Sequence, residues 1–143
     1  MWYTLIVALE AYLTNVAAFS NVVIQLGDCA DVHESTTLVL LRGKTQPDNL
    51  VRHIRGKQTL HIECWVHSAE REAEQQTHDA YSQLAALEND LTTALQAFGH
   101  EPNTVSGYHI RVELTPFEPD GDQFHPSVAS RITIDIIYNK INP

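Results

Sequence analysis

The second half of the chain runs strand, long helix, strand, strand, and this order does most to limit what the sequence can fold into. From about Gln58 to His67 the residues alternate, with Leu60, Ile62, Cys64 and Val66 on one face and His61, Glu63, Trp65 and His67 on the other. That is the period of a strand with one buried face. From about Ala69 to Phe98 the period changes. Ala80, Leu84, Leu87, Leu91, Leu95 and Phe98 recur at helical spacing and form one apolar stripe. Ser68 suits the N-cap, Glu70, Glu72 and Glu74 suit the positive end of the helix dipole, and Gly99 with Pro102 beyond it suits the end. At 1.5 Å per residue such a helix would be roughly 45 Å long, more than a small sheet can cover, so its polar first turns should project into solvent. Two further strands follow, about Val105 to Pro116 and Ser127 to Lys140. Their inward faces are Tyr108, Ile110, Val112 and Leu114, then Ile132, Ile134, Ile136 and Tyr138. A turn-rich connection containing Asp120-Gly121 predicts that these two strands pair antiparallel.

The first half is less regular. Trp2, Ile6, Leu9, Leu13 and Val16 mark one stripe of a helix from about Trp2 to Ala17. The segment lacks the basic start of a signal peptide, and Glu10 interrupts its apolar run. Val22 to Leu26 is a short β-prone run followed by a Gly27-Asp28 turn signal. Leu38 to Leu41 reads as a strand buried on both faces or at an interface. Together these elements predict one α+β domain over residues 1–143. A mostly antiparallel sheet of about four strands packs against the long helix, with an N-terminal amphipathic helix beside it.

Hydrophobic residues make up 43% of the chain and charged residues 19%, the balance of a globular protein. A net charge of −9 argues against specific nucleic-acid binding, because neutralising phosphates requires clustered Lys and Arg. No apolar run is long enough for a membrane helix. The two cysteines, Cys29 and Cys64, do not form a disulfide framework, and the place of Cys64 on an apolar strand face predicts a buried thiol.

Little here suggests catalysis. The chain has no G-x-S-x-G, no Gly-rich phosphate loop and no dinucleotide fingerprint. The eight histidines include no H-E-x-x-H, and no C-x-x-C accompanies them. His61 and His67 share a strand face but lie about 20 Å apart along it, while His61 and His109 would be neighbours if their strands paired. Glu118, Asp120 and Asp122 lack the ordered ligand series of a calcium loop and read as a solvated turn. We expect no enzyme, no cofactor and no metal.

Residues 42–57 form the strongest candidate surface. Arg42, Lys44, Arg52, Arg55 and Lys57 supply five of the nine Lys and Arg residues against a single acid, Asp48. The segment reads as a long basic loop, and long loops inside compact domains are usually functional. Its charge contrasts with an otherwise acidic chain, which suits a contact in which the loop of one subunit meets an acidic face of the next. Trp65 and Ile137 point away from the face assigned to the core and are added as partner-surface residues.

The order of elements resembles a known family. It comprises the helix Trp2 to Ala17, a strand and basic loop, the strand Thr59-Leu60-His61-Ile62-Glu63-Cys64-Trp65-Val66, and the long helix with Tyr81, Leu84, Leu87 and Leu91. The strand Tyr108 to Thr115, an Asp120-Gly121 loop and the strand Ser130 to Tyr138 complete it. This layout is similar to the tail terminator and tail-completion proteins (head–tail joining, minor tail) of long-tailed bacteriophages and prophages. The resemblance implies a structural virion protein in the tail or neck, made in the bacterial host cytoplasm. It would form a homo-oligomeric ring, commonly a hexamer, that caps the tail tube and docks to the head connector. Its partners would be itself, the tail tube protein and the connector protein, and an acidic lumen would let DNA slide through. The family supplies no catalytic residues. Two other expectations stand beside it: another neck or minor capsid protein, and a small ferredoxin-like ligand-binding module or enzyme.

Overall fold

A computed structural model of the protein describes residues 1–27, 34–46, 55–100, 103–119 and 127–141. Helix α1 spans Trp2–Thr14 and is followed by one 3-10 turn over Ala17–Phe19. Strands β1 (Val23–Leu26), β2 (Thr37–Gln46) and β3 (Arg55–His67) come next, then helix α2 (Ala73–Phe98). Four strands close the chain: β4 (Thr104–Val105), β5 (Tyr108–Leu114), β6 (Glu118–Pro119) and β7 (Ser127–Lys140).

The expectation of about four strands against one long helix is wrong. The described residues form a seven-stranded sheet in the order β1-β2-β3-β7-β5-β4, with β6 paired to β7, and it curls into a half-barrel. The miss has a physical cause. β1, β4 and β6 are too short to show a period. β2 continues beyond its apolar start into Arg42–Gln46, where cross-strand pairing with β3, not apolar side chains, holds the backbone extended. The single strand anticipated from Val105 is in fact a hairpin. Ser106 and Gly107 both have positive φ (49° and 82°), the geometry of a tight two-residue turn, and Val105 pairs with Tyr108 across it. Most pairings are antiparallel, but β1 runs parallel to β2.

Both helices cover one face of the sheet. α2 lies across β3, β7 and β5, burying Ala80, Leu84, Leu87, Leu91, Ala94, Leu95 and Phe98 against Leu60, Ile62, Ile132, Ile134 and Ile136. α1 touches β1 and β2 at one margin of the sheet and β4 at the other. A helix that meets both margins plugs the opening of a curled sheet, and this explains why Leu5, Leu9 and Leu13 are fully buried. The two helices meet where the rings of Tyr12 and Phe98 lie 5.1 Å apart.

Local signals moved by a few residues. α2 begins at Ala73 with Glu72, not Ser68, at its N-cap position. Ser68 lies before the helix: its hydroxyl accepts from Glu70 N–H (3.2 Å) and donates to Asp79 Oδ2 (2.7 Å) within α2. The Asp79 carboxyl is thereby held below its ordinary value. Glu70 precedes the helix, and of the three expected glutamates only Glu74 lies in its first turn.

Candidate functional site

The opposite face of the sheet is covered by neither helix. Its residues follow from strand register, because side chains alternate across a strand. Val39, Glu63 and Arg131 stand level with one another, as do Leu41, His61 and Thr133. Polar pairs run along it. Thr59 donates to Asp135 Oδ1 (2.6 Å), Lys57 Nζ lies 3.4 Å from Asp135 Oδ2, His61 Nδ1 lies 2.8 Å from Thr133 Oγ1, and His67 Nδ1 lies 3.2 Å from Ser127 Oγ. His61 is held below its ordinary value, first by burial and then by the Arg131 guanidinium.

This register separates His61 from His109. β7 lies between their strands, so they are not neighbours. Among the described residues no group of three or more His, Cys, Asp or Glu side chains is placed to hold a metal.

The anticipated basic loop is divided. Arg42 and Lys44 belong to β2, Arg55 and Lys57 to β3, and Arg52 lies outside the described residues. Arg42 is level with Leu60, on the helix side, and its guanidinium sits 4.2 Å from the centroid of the Trp2 ring. Lys57 points to the other face, at Asp135. Lys44 is exposed and makes no ion pair among the described residues. The backbone of Arg55 pairs with Asn139. The described cations therefore do not share one surface, because the strand alternation that a loop would lack sends them to different sides.

Lys44 stands at a margin. β1 pairs with β2 only as far as Leu40, so the side of β2 away from β3 carries no strand partner beyond that point among the described residues. An open edge invites pairing with other chains, and a bulge with charged side chains is a common way to blunt it. The β2–β3 register shifts between Arg42 and Thr45, and both Arg42 and Lys44 lie there.

Ile137 takes the outward side, as its alternation required, but it is only 8% exposed. It lies level with Lys57 on β3 and Arg111 on β5. Ile137 therefore adds little surface. Trp65 is half-buried, and its Nε1 donates to Glu63 Oε1 at 3.3 Å. It lines an open notch of about 270 Å³ with Glu63, Glu118, Pro119, Ala129, Ser130 and Arg131. The short strand β6 makes this notch by placing Glu118 beside Arg131 and Pro119 beside Ser130. The sequence offered Glu118 only as part of a solvated acidic turn with Asp120 and Asp122, because two residues of strand carry no period.

A second polar group lies under α2. Cys64 is fully buried, as its place on the apolar face required, and its thiol is pushed up to about 12, first by burial and then by the Glu88 carboxylate. Burial also raises Glu88 above its ordinary value. The Ser130 hydroxyl stands beside both groups and pulls each back, although its geometry falls short of a full hydrogen bond. A thiol held protonated this firmly is no nucleophile at neutral pH.

Among the described residues no helix is long and apolar enough to cross a membrane. No family model matches the chain, and no curated protein matches it. One solved chain, which bears only a sequence label, aligns with 99% of this chain and 94% of its own length at 12% identity, with a TM-score of 0.48.

Proposed function

We propose that this protein is a structural subunit of a phage or prophage virion that acts by contact and not by catalysis. It would be a tail terminator that closes into a homo-oligomeric ring, caps the tail tube and joins it to the head connector. The observation that carries this reading is the one-sided build of the sheet. Both helices pack on one face, while the other, covered by neither helix, carries polar pairs along β3 and β7 together with Trp65 and the notch beside it. A sheet face of this kind is suited to meeting neighbouring subunits. The net charge of −9 suits a lumen through which DNA passes without adhering.

The test combines native mass spectrometry over a range of concentrations with a tube-growth assay. The reading expects a discrete closed oligomer, near six subunits, and shorter tubes when the protein is added to polymerising tail tube protein. Unrestricted tube growth, with no binding to tube ends, would sink it.

A further inference from the structure

A buried amide holds the open edge of the sheet out of line. Gly43 and Lys44 of β2 stand against Thr59 alone on β3, because the pairs on either side are Arg42–Leu60 and Thr45–Gln58. One extra residue on one strand is a β-bulge, which bends that strand and interrupts the ladder. The two backbones come close here. A Cβ on Gly43 would lie 2.7 Å from the Thr59 carbonyl oxygen, so the bulge requires glycine.

Gln58 is fully buried beside the bulge. Its Nε2 donates to the carbonyls of Thr59 (2.9 Å) and Gly43 (3.3 Å), one on each strand, and its Oε1 accepts from Thr45 Oγ1. This set of partners exists only in the bulged register. Sliding β2 into regular pairing would carry Gly43 and Thr45 away and leave a buried amide with unmade hydrogen bonds, which is costly.

The bulge lies where protection is needed. β1 pairs with β2 only through Leu40, so from Leu41 to Gln46 the side of β2 away from β3 has no strand partner among the described residues. A straight edge of this length would accept a strand from another copy. Self-pairing centred on Gly43 would set Arg42 of one copy opposite Lys44 of the other, and like charges placed opposite each other repel.

We propose that the Gln58 lock is an autoinhibitory contact: it keeps the edge of β2 bulged and so bars it from pairing with the β2 edge of a second copy. The inference does not rest on the ring reading, which concerns the face of the sheet and not its edge.

Sedimentation velocity on the full chain measures self-association, and hydrogen exchange of the Arg42 to Gln46 amides shows whether the edge takes part. Gln58→Leu should strengthen self-association about tenfold or more, which corresponds to about 1.4 kcal/mol. Exchange at those amides should slow as concentration rises. Adding Lys44→Glu to Gln58→Leu should strengthen the contact further, because the new carboxylate faces Arg42 of the other copy. Lys44→Glu alone should leave the edge amides as they are in the parent, since the bulge is intact. Circular dichroism and thermal melts show which variants fold. If Gln58→Leu does not, Thr45→Val removes the donor to Oε1 from an exposed position and should free the edge in the same way. Edge amides that exchange as fast as the parent's at every concentration, in a folded Gln58→Leu or Thr45→Val chain, overturn the lock. Weaker association on adding Lys44→Glu overturns the pairing centred on Gly43. The parent's oligomer tests the ring and the variants' edge amides test the lock, so either reading can fail alone.

Discussion

The guanidinium of Arg42 lies 4.2 Å from the centroid of the Trp2 ring and fastens the outer end of β2 to the first turn of α1. The same group donates to Thr45 Oγ1 at 3.3 Å, and Thr45 in turn donates to Gln58 Oε1 at 2.5 Å. The helix that plugs the half-barrel is thereby tied to the bulge that blunts the sheet edge. Arg42→Ala should lower stability by about 0.5–1 kcal/mol, the usual worth of an exposed cation–π contact. Urea denaturation of Arg42→Ala, Trp2→Leu and the double variant checks this. Additive losses would show that the two side chains are not coupled.

Gly99 ends α2 against β5. A Cβ at this position would lie 2.6 Å from Val112 Cβ and 2.7 Å from the Val112 nitrogen. Gly99→Ala should therefore cost about 1–3 kcal/mol through overpacking. Adding Val112→Ala should not rescue it, because alanine keeps the same Cβ and nitrogen. A melting temperature for Gly99→Ala equal to the parent's would show that the helix end shifts freely.

Cys64 links stability to alkaline pH. Its thiol is raised from 9.0 to about 12 in the folded protein, so folding favours the protonated form. That contribution is whole below the unfolded value and fades as pH climbs from about 9 toward 12. Over this window stability should fall by up to roughly 1.4 kcal/mol per pH unit. Urea midpoints between pH 8 and 11 should slope less steeply for Cys64→Ala than for the parent. Parallel slopes would contradict the buried protonated thiol. Below that window Cys64 should react with thiol reagents only at the rate of unfolding.

Glu88 has the same sign at lower pH. Burial raises its folded value, so its charged form opposes folding above that value and the opposition vanishes in acid. Glu88→Gln should raise the melting temperature at pH 7, and the gain should disappear below about pH 4. A gain that persists in acid would point to packing and not to charge.

Trp65 should report on the notch. Glu63→Gln removes a carboxylate from the group that faces its Nε1, 3.3 Å away, and should shift the Trp65 emission maximum while leaving the far-ultraviolet circular dichroism unchanged. Trp2 is the other indole in the chain, so the measurement is made in a Trp2→Phe background. An unmoved spectrum would mean that Glu63 does not contact the indole in solution.

The sequence by itself determined the elements whose side chains repeat over several turns or pleats. The α2 stripe from Ala80 to Phe98, the alternation of β3 and β7, and the burial of Cys64 all follow from period and apolarity, because each residue's environment is set by its own element. Only the tertiary structure decided which strands are neighbours. It set β7 between β3 and β5, parted His61 from His109, and turned one anticipated strand into a hairpin at Ser106-Gly107. It also brought Glu118 beside Arg131 and sent Arg42 and Lys57 to opposite faces of the sheet. These outcomes depend on hydrogen bonds between residues far apart in the chain, and such pairings leave no period in the sequence to read.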